Sequence, residues 1–370
     1  GRGAFEHVPT SRSSRCFSHT VFGDLSRYAG AEKRAARILP ARAIESTMQV
    51  SADESDYRAL RDARVLVTGA TGFIGRHLCH SLREQGAQLV LLQRQAHASP
   101  WPDARTVVLD PSDRAGIANA LCEIKPDLVF HLAGFVSGER SGEAMARAFD
   151  GNVLFSANIL LSCLAHLPDT RVIFTSSLEA SNPRLQPAET GSPYGVSKLM
   201  VEVLSGTLNE LYAAPMFSAR LGMVYGPSDP NCDRLVPTVI RALLKREAPH
   251  LSSGKRRSDW VYIDDVITGL LAMASTQELP HPALVLASGE LHSVREVAEL
   301  LASIIGATVP IHYDPSRDRP CEQERVADMM TTRAALGLVG PAIDLRSGLT
   351  RTVDAYRALT RSSRANPAQP

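Results

Sequence analysis

The chain has 370 residues, of which 44% are hydrophobic, enough to fill one large core or a main domain with a smaller partner. Its 40 basic and 39 acidic residues nearly cancel, which argues against a protein that binds nucleic acid or an anionic membrane surface. The six cysteines form no C-x-x-C pair and no apolar run approaches the roughly 20 residues of a membrane-spanning helix, so we expect a cytoplasmic protein without a metal site.

The N-terminal segment does not have the pattern of a folded domain. Its first 47 residues carry seven Arg and one Lys against four acidic residues, with several Ser and no sustained apolar periodicity. We expect residues 1–62 to be a disordered or non-native extension, with Met48 as an alternative translation start. An organelle transit peptide is the competing interpretation, because such peptides are rich in Arg and Ser.

From residue 63 onward, short β-branched runs alternate with amphipathic segments of helical length, the pattern of a parallel sheet with crossover helices. This predicts an α/β fold with a Rossmann-type, doubly wound parallel sheet over residues 63–226. We expect residues 227–357 to form mainly a smaller substrate-binding region, with segments that return to the Rossmann core, and residues 358–370 to be a disordered tail. The predicted strands are 65–67, 89–92, 106–109, 128–131, 172–174 and 216–219.

The first predicted strand runs into a glycine-rich turn that opens a helix. Gly69 and Gly72 allow a sharp turn and close approach to phosphates, and Gly75 allows the helix to pack closely on the strand. The N-terminus of the helix supplies oriented N–H groups for a pyrophosphate. We therefore predict a dinucleotide site here, to which Thr71, Phe73 and Ile74 also belong.

The end of the second strand bears on the choice of dinucleotide. An acidic residue there would accept hydrogen bonds from the ribose of NAD, but this chain has Gln93 and Arg94. Arg94 can pair with a 2′-phosphate, which favours NADP over NAD, unless it is simply a solvated surface residue. Asp110, after the third strand, would contact the adenine amine or cap the following turn.

Ser192 to Lys198 contains a Tyr and a Lys four residues apart, which places both side chains on one face of a helix. An ammonium group beside a phenol stabilises the phenolate and lowers the pKa of the Tyr, which suits proton exchange with a carbonyl or carbinol. The segment follows a strand that ends in Thr175-Ser176-Ser177. We expect Tyr194 to be the acid/base, Lys198 its partner, and Ser177 the hydrogen-bond donor to the substrate oxygen.

These motifs together resemble the extended short-chain dehydrogenase/reductases of the NAD-dependent epimerase/dehydratase family, in its sugar-nucleotide branch. The resemblance covers about residues 64–357 and includes blocks at 126–134, 220–227 and 259–266. It implies that Ser177, Tyr194 and Lys198 are catalytic, and that the backbone of Leu132 and Ala133 joins the glycine turn, Arg94 and Asp110 in holding the cofactor. It also implies a nucleoside-diphosphate sugar as substrate and a homodimer formed through helices near 152–164 and 197–211.

The chain departs from the family pattern at three places. Met223 stands where members often have Asn, and Ser258 where they often have Arg. We expect Arg256, Arg257 and Arg319 to replace the missing charge, because guanidinium groups suit phosphates, unless they form a solvated basic loop. Leu178-Glu179 replaces the Asp-Glu pair of the dehydratases, so Glu179 either acts as an acid/base or faces solvent.

The reaction predicted from these residues is hydride transfer at a keto or hydroxyl carbon of a nucleotide-linked sugar. Net ketoreduction is favoured over epimerisation, and dehydration is the least favoured because Leu178 removes one of its two carboxyl groups. An NAD-retaining epimerase is the alternative among enzymes. A non-catalytic NADP-sensing regulator is the alternative of another class, against which the intact Ser-Tyr-Lys set argues.

Overall fold

A computed structural model describes residues 57–96, 101–180, 192–319, 324–338 and 342–365. Contacts divide the chain into Gly1–Thr47 and Met48–Pro370, and every described residue lies in the second unit. The predicted N-terminal extension lies outside the described residues except for 57–62. These six residues belong to the fold, since a short 3₁₀ helix, Arg58–Leu60, places Leu60 in the core at 2% exposure.

The main sheet consists of seven strands, which are β1 (Arg64–Thr68), β2 (Gln88–Gln93), β3 (Arg105–Val108), β4 (Leu128–His131), β5 (Arg171–Ser177), β6 (Met216–Leu221) and β10 (Ala283–Leu286). All pair in parallel, in the order β10-β6-β5-β4-β1-β2-β3. The strand order reverses between β1 and β4, and ligands of such sheets bind at the carboxyl ends of the strands near that point. The predicted doubly wound sheet is confirmed.

Helices cover both faces of this sheet, which explains why the middle of each central strand is a continuous apolar run. The helices of this half are α1 (Phe73–Glu84), α2 (Arg114–Ile124), α3 (Gly142–Ala148), α4 (Phe155–His166) and α5 (Pro193–Tyr212), and a π-helical stretch, Phe149–Leu154, joins α3 to α4. One face of the sheet packs against α2 and α4, and α1 lies on the other face.

The C-terminal half adds two small sheets and five α-helices among the described residues. The elements are β7 (Met223–Tyr225), α6 (Leu235–Leu244), β8 (His250–Leu251), β9 (Arg257–Tyr262), α7 (Ile263–Ser275), β11 (Leu291–Ser293), α8 (Val294–Ile305), β12 (His312–Tyr313), α9 (Met330–Leu336) and α10 (Leu345–Ala365). β9 pairs in parallel with β7 and antiparallel with β11, and β8 pairs with β12. Helix α7 returns to the main sheet and packs beside α1.

Two features differ from the sequence expectations. Helix α10 runs to Ala365, so part of the predicted tail 358–370 is helical. The continuous helical segment Gly142–His166 is long and apolar enough, by length and composition, to cross a membrane. The sequence analysis expected no apolar run of that length. Polar residues such as Asn152 and Ser156 interrupt it in the sequence, and more than half of its apolar window is buried inside the protein, which is typical of a core helix.

Candidate active site

The turn between β1 and α1 lies against the end of β4. Gly69 has a φ of +72°, a left-handed conformation that strains any residue with a side chain. A Cβ atom at Gly69 would lie 2.7 Å from the backbone nitrogen of Ala133, and one at Gly75 would overlap the carbonyl oxygen of Gly69. Close packing therefore requires glycine at both positions.

Helix α1 presents its N-terminus at this turn, and Gly72 at the N-cap offers no side chain to its first N–H groups. The end of β4 is held beside the turn because the Ala133 N–H donates to Thr68 Oγ1 at 3.1 Å. A backbone cradle next to uncapped N–H groups fits the pyrophosphate of a dinucleotide. The remaining cofactor-binding residues predicted for these two segments share this edge: Thr71, Phe73, Ile74 and Leu132.

Gln93 closes β2 one residue beyond Leu92, which pairs with Thr68 before the glycine turn. Its side chain is 8% exposed, and neither of its buried amide atoms has a hydrogen-bond partner among the described residues. A buried amide without a partner is costly in a folded protein, so this one fits a polar ligand group such as a ribose hydroxyl. Arg94 follows it and is exposed.

Two roles were predicted for Asp110, contact with adenine or capping of the following turn, and the structure shows the turn cap. Its Oδ1 atom accepts hydrogen bonds from the Ser112 backbone N–H at 2.8 Å and from the Ser112 hydroxyl at 2.7 Å. These bonds hold the pKa of the Asp110 carboxyl below its usual value. A contact between Asp110 and adenine stays a prediction.

Ser177 and Tyr194 meet where β5 ends and α5 begins. Ser192 caps α5 by accepting the Gly195 N–H at 2.9 Å, and Pro193 occupies its first turn, so the helix starts just before Tyr194. The Ser177 side chain lies close enough to the Tyr194 phenol to favour the phenolate, and so it acts to lower the pKa of Tyr194. The two hydroxyl groups predicted to act on the substrate oxygen are therefore assembled at the carboxyl edge of the sheet.

The pKa of Tyr194 is nevertheless raised, contrary to the expectation from sequence. Burial is the main cause and the negative charge of Glu179 adds to it, while Ser177 and Arg234 act in the opposite direction. Lys198 does not have the expected effect, because its Nζ atom lies 5.8 Å from the centre of the Tyr194 ring and donates to the Thr175 carbonyl at 2.8 Å.

Lys198 is 6% exposed, and burial lowers its pKa to about 8. Glu202, one turn further along α5, opposes this shift. The Glu202 carboxylate is in turn held by the Arg220 guanidinium of β6, which donates to both of its oxygens. Helix α5 and strand β6 thus place a carboxylate–guanidinium pair behind the ammonium group.

Glu179 lies within the site and is half-buried rather than fully solvated. Its Oε2 atom accepts a hydrogen bond from the Ser192 hydroxyl at 2.6 Å, and its backbone N–H donates to Ser177 Oγ at 3.1 Å. The negative charge of Glu179 also raises the pKa of Tyr194. Glu179 is therefore only partly exposed to solvent, and its role as an acid/base stays a prediction.

Behind the catalytic edge, a buried histidine joins the ends of β1 and β4. His131 Nδ1 lies 2.8 Å from Thr68 Oγ1 and His131 Nε2 lies 2.9 Å from Ser156 Oγ. Burial and the Lys198 charge lower the pKa of His131 to about 3. The imidazole is therefore neutral near pH 7 and serves to hold the strand ends beneath the site.

Asn152 is a site residue that the sequence reasoning missed. It lies in the π-helical stretch, and its Nδ2 atom donates to the Phe135 carbonyl at 2.9 Å and to Ser197 Oγ at 2.8 Å. A Cβ atom at Gly134 would lie 2.6 Å from Asn152 Oδ1 and 3.3 Å from Lys198 Nζ. A polar residue inside an apolar helix was the available signal.

The arginines predicted to bind substrate lie at different places. Arg257 is exposed on β9, with Nη1 3.8 Å from Glu324 Oε2, and Arg256 precedes it, half-buried. The Arg319 guanidinium lies against Gly138, in the loop after β4. Their contacts in the structure do not test a role in substrate binding, which stays a prediction.

Two other arginines approach the catalytic edge, and the sequence reasoning did not identify them. Arg325 Nη1 donates to the Leu178 carbonyl at 3.2 Å, between Ser177 and Glu179. Arg234 Nη2 donates to the Val224 carbonyl at 2.6 Å, and its guanidinium stands 5.8 Å from the centre of the Phe73 ring at the cofactor turn. Both bring positive charge to the site.

Comparisons with known proteins identify the family of the chain. The sequence model of the NAD dependent epimerase/dehydratase family matches residues 65–286. A dTDP-4-dehydro-6-deoxy-D-allose reductase of Streptomyces sp is 27% identical over 318 residues, which cover 79% of this chain and 96% of the reductase. A UDP-glucose 4-epimerase of Mycolicibacterium smegmatis is 28% identical over 313 residues, 80% of this chain and 98% of the epimerase.

Among solved structures, the UDP-glucose 4-epimerase of Thermus thermophilus in complex with NAD superimposes with a TM-score of 0.69 at 26% identity. The match covers 80% of this chain and 98% of that chain. The chain is thus similar, over most of its length, to enzymes of more than one reaction type.

Proposed function

Because the chain belongs to the NAD-dependent epimerase/dehydratase family, we propose that it transfers a hydride between a nicotinamide dinucleotide and a keto or hydroxyl carbon of a nucleoside-diphosphate sugar. The observation that carries this proposal is the geometry of the carboxyl edge of the sheet, where Ser177 closes β5, Tyr194 lies in the first turn of α5, and the buried ammonium of Lys198 donates to the Thr175 carbonyl. The reductase and the epimerase among the relatives are both named for nucleotide-linked sugars.

Each residue of the catalytic edge has its own part in the reaction. Bound NAD(P)H supplies the hydride. Tyr194 gives its phenolic proton to the substrate oxygen during reduction, and takes it back in the reverse direction. Ser177 aligns that oxygen by a hydrogen bond, and Lys198 keeps positive charge beside the reacting groups, where negative charge develops on oxygen.

Net ketoreduction is our preferred reaction. Dehydration needs an acid as well as a base near the leaving hydroxyl, and the position before Glu179 is occupied by Leu178. Glu179 already accepts the Ser192 hydroxyl and raises the pKa of Tyr194, so a single carboxylate faces the site from this segment. Epimerisation requires that the cofactor stay bound and return its hydride to the opposite face of the sugar, and it is the competing reaction.

We propose NADP(H) as the preferred cofactor, with NAD(H) as the second choice. A carboxylate at the end of β2 would repel a 2′-phosphate, whereas the Gln93 amide is neutral and can both donate and accept. Its buried amide atoms have no hydrogen-bond partner among the described residues, and Arg94 beside it is exposed. A guanidinium there is suited to a charge-assisted pair with the phosphate.

We propose that the diphosphate of the substrate lies on the side of the site where Arg325 and Arg234 reach the catalytic edge. Arg256, Arg257 and Arg319 remain candidates for the outer part of the nucleotide. Guanidinium groups bind phosphate oxygens by two parallel hydrogen bonds, which orients the ligand as well as holding it.

The protein is proposed to act as a cytoplasmic homodimer. Helix α5 packs beside α3 and the π-helical stretch, and this surface carries exposed apolar side chains, which commonly mark an interface. They range from 38% to 65% exposed: Met145, Phe149, Leu154, Met200, Val203 and Leu211. Sedimentation of the purified protein tests this: a monomer at micromolar concentration would refute it.

The reaction is tested with a panel of nucleotide sugars and their 4-keto derivatives, following NADPH absorbance and product mass together. Consumption of one NADPH per product with a gain of two hydrogens supports ketoreduction. Inversion at unchanged mass without net NADPH use identifies an epimerase, and loss of water identifies a dehydratase. Absence of any turnover by protein that binds NADP would favour the regulator.

A further inference from the structure

The carboxylate of Asp259 joins three segments of the C-terminal half. Asp259 lies on β9 and is 1% exposed. Its Oδ1 atom accepts the Ser288 N–H and the Ser288 hydroxyl, each at 2.7 Å. Its Oδ2 atom accepts the Gly289 N–H at 2.9 Å and the Ala327 N–H at 3.1 Å. Both oxygens face donors alone, a pattern that a carboxylate satisfies and an amide does not.

The contact with Ala327 is the one that reaches the active site. Residues 324–329 contain neither helix nor strand, so their position depends on individual contacts. The ion pair between Arg257 and Glu324 of this segment, at 3.8 Å, is exposed at both ends and contributes little. Arg325 lies two residues before Ala327, and its guanidinium donates to the Leu178 carbonyl between Ser177 and Glu179.

We propose that Asp259 is a positioning residue, which fixes the segment 324–329 and thereby holds the Arg325 guanidinium at the catalytic edge, where it meets the diphosphate of the substrate. The diphosphate as ligand rests on the proposed function. Asp259 itself is 1% exposed, and both of its carboxylate oxygens are taken up by Ser288, Gly289 and Ala327. Its effect on binding therefore passes through Arg325.

The test compares Asp259→Asn, Arg325→Gln and the double variant with the wild type. Asn at position 259 turns an NH₂ group towards one pair of donors, so it leaves donors of Ser288, Gly289 or Ala327 without an acceptor. We expect KM for the nucleotide sugar to rise about ten-fold in each single variant, with kcat within about two-fold of the wild type. The double variant should be no worse than Arg325→Gln alone, because both changes remove the same contact.

Hydrogen exchange supplies a readout that does not depend on activity. Asp259→Asn should speed amide exchange in the peptide that contains residues 324–329, while the peptides of β1 and β4 exchange as in the wild type. Asp264→Asn is the matched control, since it removes an exposed carboxylate from the neighbouring helix α7, whose contact with Arg351 measures 3.8 Å. It should leave both KM and exchange unchanged.

A second variant protects the test against a folding failure of Asp259→Asn. Ala327→Pro deletes the N–H that Asp259 Oδ2 accepts, and its ring also fixes φ at this position, but it leaves the contacts of Asp259 with Ser288 and Gly289. It should raise KM for the nucleotide sugar and speed exchange at residues 324–329, as Asp259→Asn does. Three results would each overturn the inference. They are additive effects of the 259 and 325 substitutions on KM, a fall in kcat as large as the rise in KM, and unchanged amide exchange at residues 324–329. Failure of the wild type to bind any nucleotide sugar would instead overturn the proposed function, and the exchange experiment would still decide the role of Asp259.

Discussion

The proposed cofactor edge and the proposed substrate edge of the site are built in different ways. The glycine turn uses neighbouring residues, Gly69 to Gly75, and places them against Ala133, just beyond the end of the adjacent strand β4. The substrate side gathers Leu178, Arg234 and Arg325 from three distant segments, and Asp259 holds one of these segments. We infer that the cofactor edge tolerates little change at single positions, whereas the substrate edge depends on contacts between segments.

The largest expected effect is at the junction of the two edges. Tyr194→Phe removes the proton and keeps the ring, so we expect turnover to fall by about two to four orders of magnitude while cofactor affinity is retained. Tyr212→Phe at the exposed end of the same helix is the control. Near-normal turnover of Tyr194→Phe in a steady-state assay would exclude the acid/base role.

The cofactor edge is tested by Gly69→Ala. The left-handed backbone and the 2.7 Å approach of a Cβ atom to the Ala133 nitrogen make this substitution costly, on the order of 1–3 kcal/mol in stability or in cofactor binding. Gly142→Ala is the matched control, because a Cβ atom there meets nothing within 4 Å. Thermal melts with and without NADPH measure both variants, and equal behaviour of the two would contradict the packing argument.

Cofactor choice is tested at the outer end of this edge. Losing a charge-assisted pair costs about 1.5–3 kcal/mol, so in Arg94→Ala we expect NADPH affinity to fall roughly ten- to a hundred-fold and NADH affinity to change little. Arg83→Ala, at the far end of α1, should change neither. Equal losses for the two cofactors in a fluorescence titration would show that Arg94 does not bind the phosphate.

The effect of Glu202 on the Lys198 ammonium group is tested by the pH dependence of kcat/KM. The pKa of Lys198 is lowered to about 8, so its ammonium form dominates below that value and is lost as the pH rises through it. We expect kcat/KM to decline on the alkaline side near pH 8. Glu202 raises this pKa, so Glu202→Gln should move the decline to lower pH.

Other groups also face this ammonium: His131 from β4, neutral near pH 7, and Tyr194 on α5. Glu210→Gln, exposed on the same helix, is the control for the pH profile. An alkaline decline at the same pH in Glu202→Gln and the wild type would show that Glu202 acts only as a structural anchor of α5.

The smallest effect is expected at an arginine selected from the sequence. Arg257 is exposed and its ion pair with Glu324 spans 3.8 Å, a kind of contact worth about 0–1 kcal/mol. Arg257→Ala should therefore raise KM by less than about five-fold, below the effect of Arg325→Gln. A larger effect for Arg257→Ala would support the substrate-binding role predicted from the sequence.

The sequence alone determined the features that depend on neighbours along the chain. The apolar pattern of the strands, the glycine turn, and the spacing of Tyr194 and Lys198 are all local features of the sequence. The confirmed sheet shows that its strands could be found from that apolar pattern. The family followed from the same local motifs, and residues 65–286 match its sequence model.

Only the tertiary structure decided which distant groups meet. Arg325 reaches Leu178 from a segment without regular structure, and Asn152 bridges a loop and a helix. Neither contact leaves a periodic pattern in the sequence from which it could be predicted. The pKa of Tyr194 is also a tertiary property, because burial and the charge of Glu179 raise it while Lys198 turns to the Thr175 carbonyl. Hydrogen bonds and desolvation depend on distances in space, which sequence spacing does not fix beyond one helical turn.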